Sequence, residues 1–158
     1  MQDQANSQQI NKSTLPIIEE LKIPPVAHFT SQLLLDALYF IWDGAERSQT
    51  QMFLIGDTAK QVREDEDLTG DKITVGIRRN EWFSGQGRIF QDFCKHELGG
   101  WENNNEVLVV YKFHDVPIHI KIYDENPTLS SFDTVFYRYE TFSLPNPYSV
   151  FKEEYENS

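Results

Sequence analysis

The chain has a single cysteine, Cys94, in 158 residues. One thiol closes no intrachain disulfide, and without a CxxC pair or a Cys/His cluster there is no ligand set for a structural zinc. A reducing, cytoplasmic interior is the expected compartment. Cations are scarce as well, 14 Lys and Arg against 25 Asp and Glu, for a formal net charge of −11. A surface of that average sign repels nucleic acid and anionic lipid, so no general affinity for nucleic acid is expected. No apolar run approaches the ~20 residues of a membrane span, and the opening MQDQANSQQINKST lacks the basic-then-apolar order of a secretory signal. No membrane partner is expected.

What the chain does have is apolar and aromatic material. Hydrophobic residues make up 39% and aromatic residues 13%, too much for a disordered protein and enough for the core of one domain. Residues 1–28 read as a flexible N-terminal tail and arm: a polar Gln/Asn-rich start, a short amphipathic turn over Leu15 to Leu21, then an extended connection enforced by Pro24 and Pro25. Residues 29–156 read as one domain.

Leu34, Leu35, Leu38, Ile41 and Trp42 recur at helical spacing after a capping Thr30 or Ser31, which predicts a helix to about Glu46. A short strand, Met52 to Ile55, stops at Gly56. A short helix is expected from Thr58 to Glu64, then the acidic run Glu64 to Asp67, the turn Thr69-Gly70-Asp71, and a strand from Lys72 to Arg79 whose residues alternate polar and apolar. Asn80 or Ser84 caps a helix carrying Ile89, Phe90, Phe93 and Leu98, with Cys94 on its buried side. Glu97 to Glu106 reads as a loop, and Val107 to Phe113 with Val116 to Tyr123 as a hairpin around His114-Asp115. In its second strand Val116, Ile118, Ile120 and Ile122 share one face, and Pro117, His119, Lys121 and Tyr123 the other. Pro117 points to an edge or bulge. Thr134 to Phe142 reads as a further strand and Pro147 to Glu156 as a closing helix. The order makes an α/β (α+β) domain, a mixed sheet with helices mainly on one face.

This order, with Gly56-Asp57-Thr58, Arg63, the strand Lys72-Ile73-Thr74-Val75 and the closing Phe142 to Tyr155, resembles the nucleotidyltransferase fold of the DNA polymerase beta superfamily. Its LicD-like and minimal nucleotidyltransferase branches are the most similar. In active members two alternating carboxylates on the second strand and a third from a neighbouring strand hold divalent metal ions that clamp the transferring phosphate. Here those positions fall at Lys72, Thr74 and His119 or Lys121, none of them a carboxylate. The resemblance therefore implies a degenerate motif and a non-catalytic binding or regulatory module. Gly56, Thr58, Lys72, Thr74, His119 and Lys121 are its candidate phosphate- or ligand-binding residues, and a nucleotide, a phosphorylated small molecule or a protein its candidate partners. Arg78 belongs to the same set of cations.

Two other readings stay open. An active, divergent transferase would use Asp57, Asp67 and Asp71, with magnesium and a nucleoside triphosphate as its cofactor and substrate. Asp65 and Asp67 form a DxD pair, and Asp71 could also serve with Asp57 and Asp124. The third reading is a small acidic interaction protein. Of the histidines His28, His96, His114 and His119, none has metal-ligand spacing, and Trp82 is a candidate cleft residue.

Overall fold

A computed structural model describes residues 29–95, 100–102, 105–124 and 132–145. The expected arm, His28, His96, Leu98 and the closing helix lie outside them. Helix α1 (Ser31–Arg47) starts at Thr30, whose hydroxyl accepts from the Leu33 amide at 3.2 Å. Leu34, Ala37, Leu38, Ile41 and Ala45 return every three or four residues and are buried.

Strand β1 (Met52–Leu54) leads into α2 (Gly56–Arg63) and β2 (Ile73–Arg78). Two short helices follow, α3 (Arg79–Trp82) and α4 (Gly85–Phe93), the latter capped by Ser84, whose hydroxyl accepts from the Gly87 amide at 2.9 Å. Then come β3 (Gly100–Glu102), β4 (Glu106–Tyr111), β5 (Val116–Tyr123), β6 (Phe132–Tyr137) and β7 (Glu140–Pro145). The main sheet has the order β1-β2-β5-β4-β3, and β6 and β7 form a separate hairpin packed beside β1. β2 and β5 run parallel and the other neighbours antiparallel. The parallel pair requires the long crossover that α3, α4, β3 and β4 supply. The architecture is the expected mixed α/β one.

The two faces of the sheet differ. Ile73, Val75 and Ile77 of β2 lie beside Ile118, Ile120 and Ile122 of β5, all buried. On the same side Tyr111 of β4 meets Phe40 of α1, ring centroids 5.0 Å apart, so α1 covers this face. Thr74, Gly76 and Arg78 face the other way, beside His119, Lys121 and Tyr123.

Three local expectations are revised. Thr134 to Phe142 is not one strand: the chain reverses at Arg138 and Tyr139, with Arg138 at φ 60°. That turn contains no Gly, Pro or Asn, the residues that announce one in a sequence. Part of the expected loop Glu97 to Glu106 is strand β3, paired with β4. β5 is an interior strand from Ile118 onward, and the expected edge is confined to its Pro117 end. The β2 ladder begins only at Ile118, so on that side Pro117 has no described partner strand, and its missing N–H is tolerated. Trp82 is buried against Phe90 as a core residue, and Cys94 is buried as expected.

Candidate functional site

Backbone pairing brings several of the candidate residues to one region. β1 ends where β2 begins, since Leu54 pairs with Val75 in antiparallel register. The turn between β1 and α2 is made by Gly56 at φ 61°, a left-handed conformation that costs other residues about 1 kcal/mol or more. Two residues on, the Thr58 hydroxyl accepts from the Thr74 amide at 3.0 Å, with both threonines buried. This bond fastens the first turn of α2 to β2. It also gives Thr58 and Thr74 a structural role that their sequence positions alone did not reveal.

Along the face turned away from α1, Thr74 is the register partner of His119, Gly76 of Lys121, and Arg78 of Tyr123. His119 Nε2 lies 3.1 Å from Glu106 Oε1. The Lys121 ammonium sits 5.5 Å from the centre of the Tyr123 ring, and the Arg78 guanidinium 5.8 Å from that of Phe132 while it donates to the Gln51 side chain. Phe53 packs between Tyr123 and Phe132, at 5.8 and 5.2 Å. Gly76 makes this layer possible, because a Cβ there would lie 2.4 Å from the Phe53 ring. The result is two cationic side chains, Arg78 and Lys121, over a tier of aromatic rings, with His119 beside them held by Glu106, on a chain whose net charge is −11.

The acidic candidates are placed differently. Asp57 and Asp71 are exposed at the same end of the sheet, and Lys72 is exposed just before β2. Asp65 and Asp67 both receive Arg138, at 2.8 Å each, so the β6–β7 turn offsets part of the charge of the DxD pair. Asp124 follows the far end of β5, 2.7 Å from Arg79. Five residues of strand separate it from His119, about 16 Å at the usual rise, so Asp124 is not brought to Asp57 and Asp71. Among the described residues no group of three or more His, Cys, Asp or Glu side chains is arranged to hold a metal ion. The acids among the described residues are not gathered into a two-metal centre.

Arg138 and its surroundings had no sequence signal. Its guanidinium stacks 4.2 Å from the Tyr137 ring centre, and the Tyr137 hydroxyl donates to the Glu66 carbonyl. The hydrogen bond to Asp67 leads the effects that hold Arg138 in its charged form, while burial raises the Tyr137 phenol above its ordinary range despite the adjacent Arg138. Arg63 links α2 to the same hairpin, donating to Asp133 at 2.8 Å and to the Pro145 carbonyl at 2.9 Å. Gly76 had a readable signal, a glycine inside a strand pattern, which marks close approach of a neighbour. His114 is exposed in the β4–β5 turn.

No protein-family model matches the chain, and a search of curated proteins returns no match. No described helix is long and apolar enough to cross a membrane.

Proposed function

We propose that the chain is a nucleotidyltransferase-like domain that binds a nucleotide or another phosphorylated small molecule without transferring a group, and that it acts as a binding or regulatory module. The observation that carries this reading is the pairing of Thr74 with His119 and of Gly76 with Lys121 on one sheet face. At the positions where a transferase of this class needs carboxylates, the chain has Lys72, the buried Thr74, and His119 or Lys121. The Lys121 ammonium repels a metal ion, whereas phosphate oxygens accept hydrogen bonds from it and from an imidazole N–H. Arg78 adds a guanidinium, and the rings of Phe53, Tyr123 and Phe132 lie beneath the cations. Because a single cysteine closes no intrachain disulfide, we assign the protein to a reducing, cytoplasmic interior.

Calorimetric titration with ATP in EDTA tests the reading. Binding is expected without metal, and Lys121→Ala is expected to weaken it by roughly ten- to a hundredfold, the loss of one charge-assisted contact. Unchanged affinity in Lys121→Ala and Arg78→Ala would remove the phosphate face from consideration.

The active alternative rests on Asp57 and Asp71, both exposed at the same end of the sheet. It predicts ATP binding that needs magnesium and is lost in Asp71→Ala.

A further inference from the structure

On the opposite side of the molecule from the phosphate face, α1 carries a second stripe whose aromatic residues are only partly buried against the core. Tyr39, Phe40 and Asp43 lie on it, and it borders a cleft of about 430 Å³ closed on one side by Tyr111 of β4 and on the other by the β6–β7 turn. That volume is in the range of small-molecule sites. The walls are aromatic. Phe40 and Tyr111 pack with centroids 5.0 Å apart, and the Tyr39 hydroxyl accepts from the Tyr139 amide at 3.0 Å, which ties the hairpin turn to the helix.

The cleft is also strongly acidic, lined by the carboxylates of Asp36, Asp43, Glu46 and Glu140. Arg47 pairs with Asp43 at 2.9 Å, and the Gln32 amide donates to Asp36 at 2.8 Å. Burial first, then Glu46 and Asp43, push the Glu140 carboxyl above its ordinary range. A second observation is independent of the acids. Trp42, 6% exposed, lines the same cleft, and its buried indole Nε1–H has no acceptor among the described residues. A buried donor left unmade is costly and is relieved by an oxygen brought in by a ligand.

We propose that this cleft binds an alkylammonium cation that also bears a hydroxyl oxygen, an amino alcohol in chemical class. The ammonium group lies among the ring faces of Tyr39, Phe40, Tyr111 and Tyr139, where the aromatic quadrupole attracts it, and the carboxylates of Glu46 and Glu140 balance its charge. The hydroxyl oxygen accepts from Trp42 Nε1. A simple metal cation satisfies the carboxylates but makes no use of the rings, and a lysine side chain carries no oxygen for Trp42.

The test uses the full chain with choline as probe, followed by calorimetry and tryptophan fluorescence. Three comparisons decide it: 3,3-dimethylbutan-1-ol, the uncharged carbon isostere; tetramethylammonium, which lacks the oxygen; and an acetylated lysine amide. Choline is expected to bind and to change the tryptophan emission, with the neutral isostere and the Glu46→Gln and Glu140→Gln variants each weaker by roughly tenfold or more. Tetramethylammonium and the lysine amide are expected to bind more weakly than choline. Tyr139→Ala alters a side chain that is 88% exposed, so its fold is retained, and it is expected to weaken choline as well. Lys121→Ala, on the opposite face, is expected to leave choline affinity unchanged. No choline binding, equal affinity for the neutral isostere, or unchanged affinity in both glutamine variants would overturn the proposal.

Discussion

At the scale of single residues, exposure decides which contacts matter. Arg138 makes two ion pairs, but Asp65 and Asp67 are 79% and 74% exposed, so water and salt screen both. Arg138→Ala is expected to lower stability in urea unfolding only slightly and to lose most of that effect at high salt. Arg63 and Asp133 are each about a third exposed, and Arg63 also satisfies the Pro145 carbonyl. Arg63→Ala is therefore expected to cost more, about 1–3 kcal/mol, and to do so with little salt dependence. If the two variants were equally destabilised, burial would not be the discriminating variable. Gly76→Ala belongs with the larger effects. Its new methyl meets the Phe53 ring at 2.4 Å, and overpacking of that kind costs about 1–3 kcal/mol.

Glu140 gives a residue-scale prediction with a definite sign. Its folded pKa is raised, by burial first and then by Glu46 and Asp43 of α1, with Arg47 held on Asp43. A raised carboxyl pKa means that the folded state holds its proton more firmly than the unfolded chain does. The associated stability is present below the ordinary 4.5 and is lost as pH rises through the higher folded value. Unfolding free energy measured across that window is expected to decline with pH for the native chain and to decline less for Glu140→Gln. A native profile no steeper than that of the variant would contradict the raised Glu140 pKa.

At the scale of elements, what was legible depended on how local the cause is. α1 was readable because its cap and its apolar stripe are written within one stretch, from Thr30 to Ala45. β2 and β5 were readable from their alternation, which assigned His119 and Lys121 to one face correctly. The β6–β7 hairpin was not readable. Its turn is held by Arg138 reaching back to Asp65 and Asp67, about seventy residues earlier, and no local spacing announces such a pair. For the same reason the acidic run looked free in sequence and is partly neutralised in the fold. Thr58 and Thr74 show the converse case, two residues picked out as ligand candidates that are engaged with each other's elements. The cleft beside α1 was half legible: Asp36, Tyr39, Asp43 and Glu46 recur on one stripe, but Tyr111 and Glu140 arrive from two other elements.

At the scale of the whole molecule, the acidic chain separates its charges. Basic side chains gather on the sheet face of Arg78, His119 and Lys121, and acidic ones line the cleft beside α1. This arrangement suits two ligands of opposite sign rather than one reaction centre. The central claim is that the first of these sites binds phosphate without metal. ATP affinity measured by calorimetry in EDTA and again in magnesium tests it most directly. Comparable affinity in both, lowered by Lys121→Ala and unaffected by Asp71→Ala, is the predicted result; binding that appears only with magnesium and disappears in Asp71→Ala would contradict it.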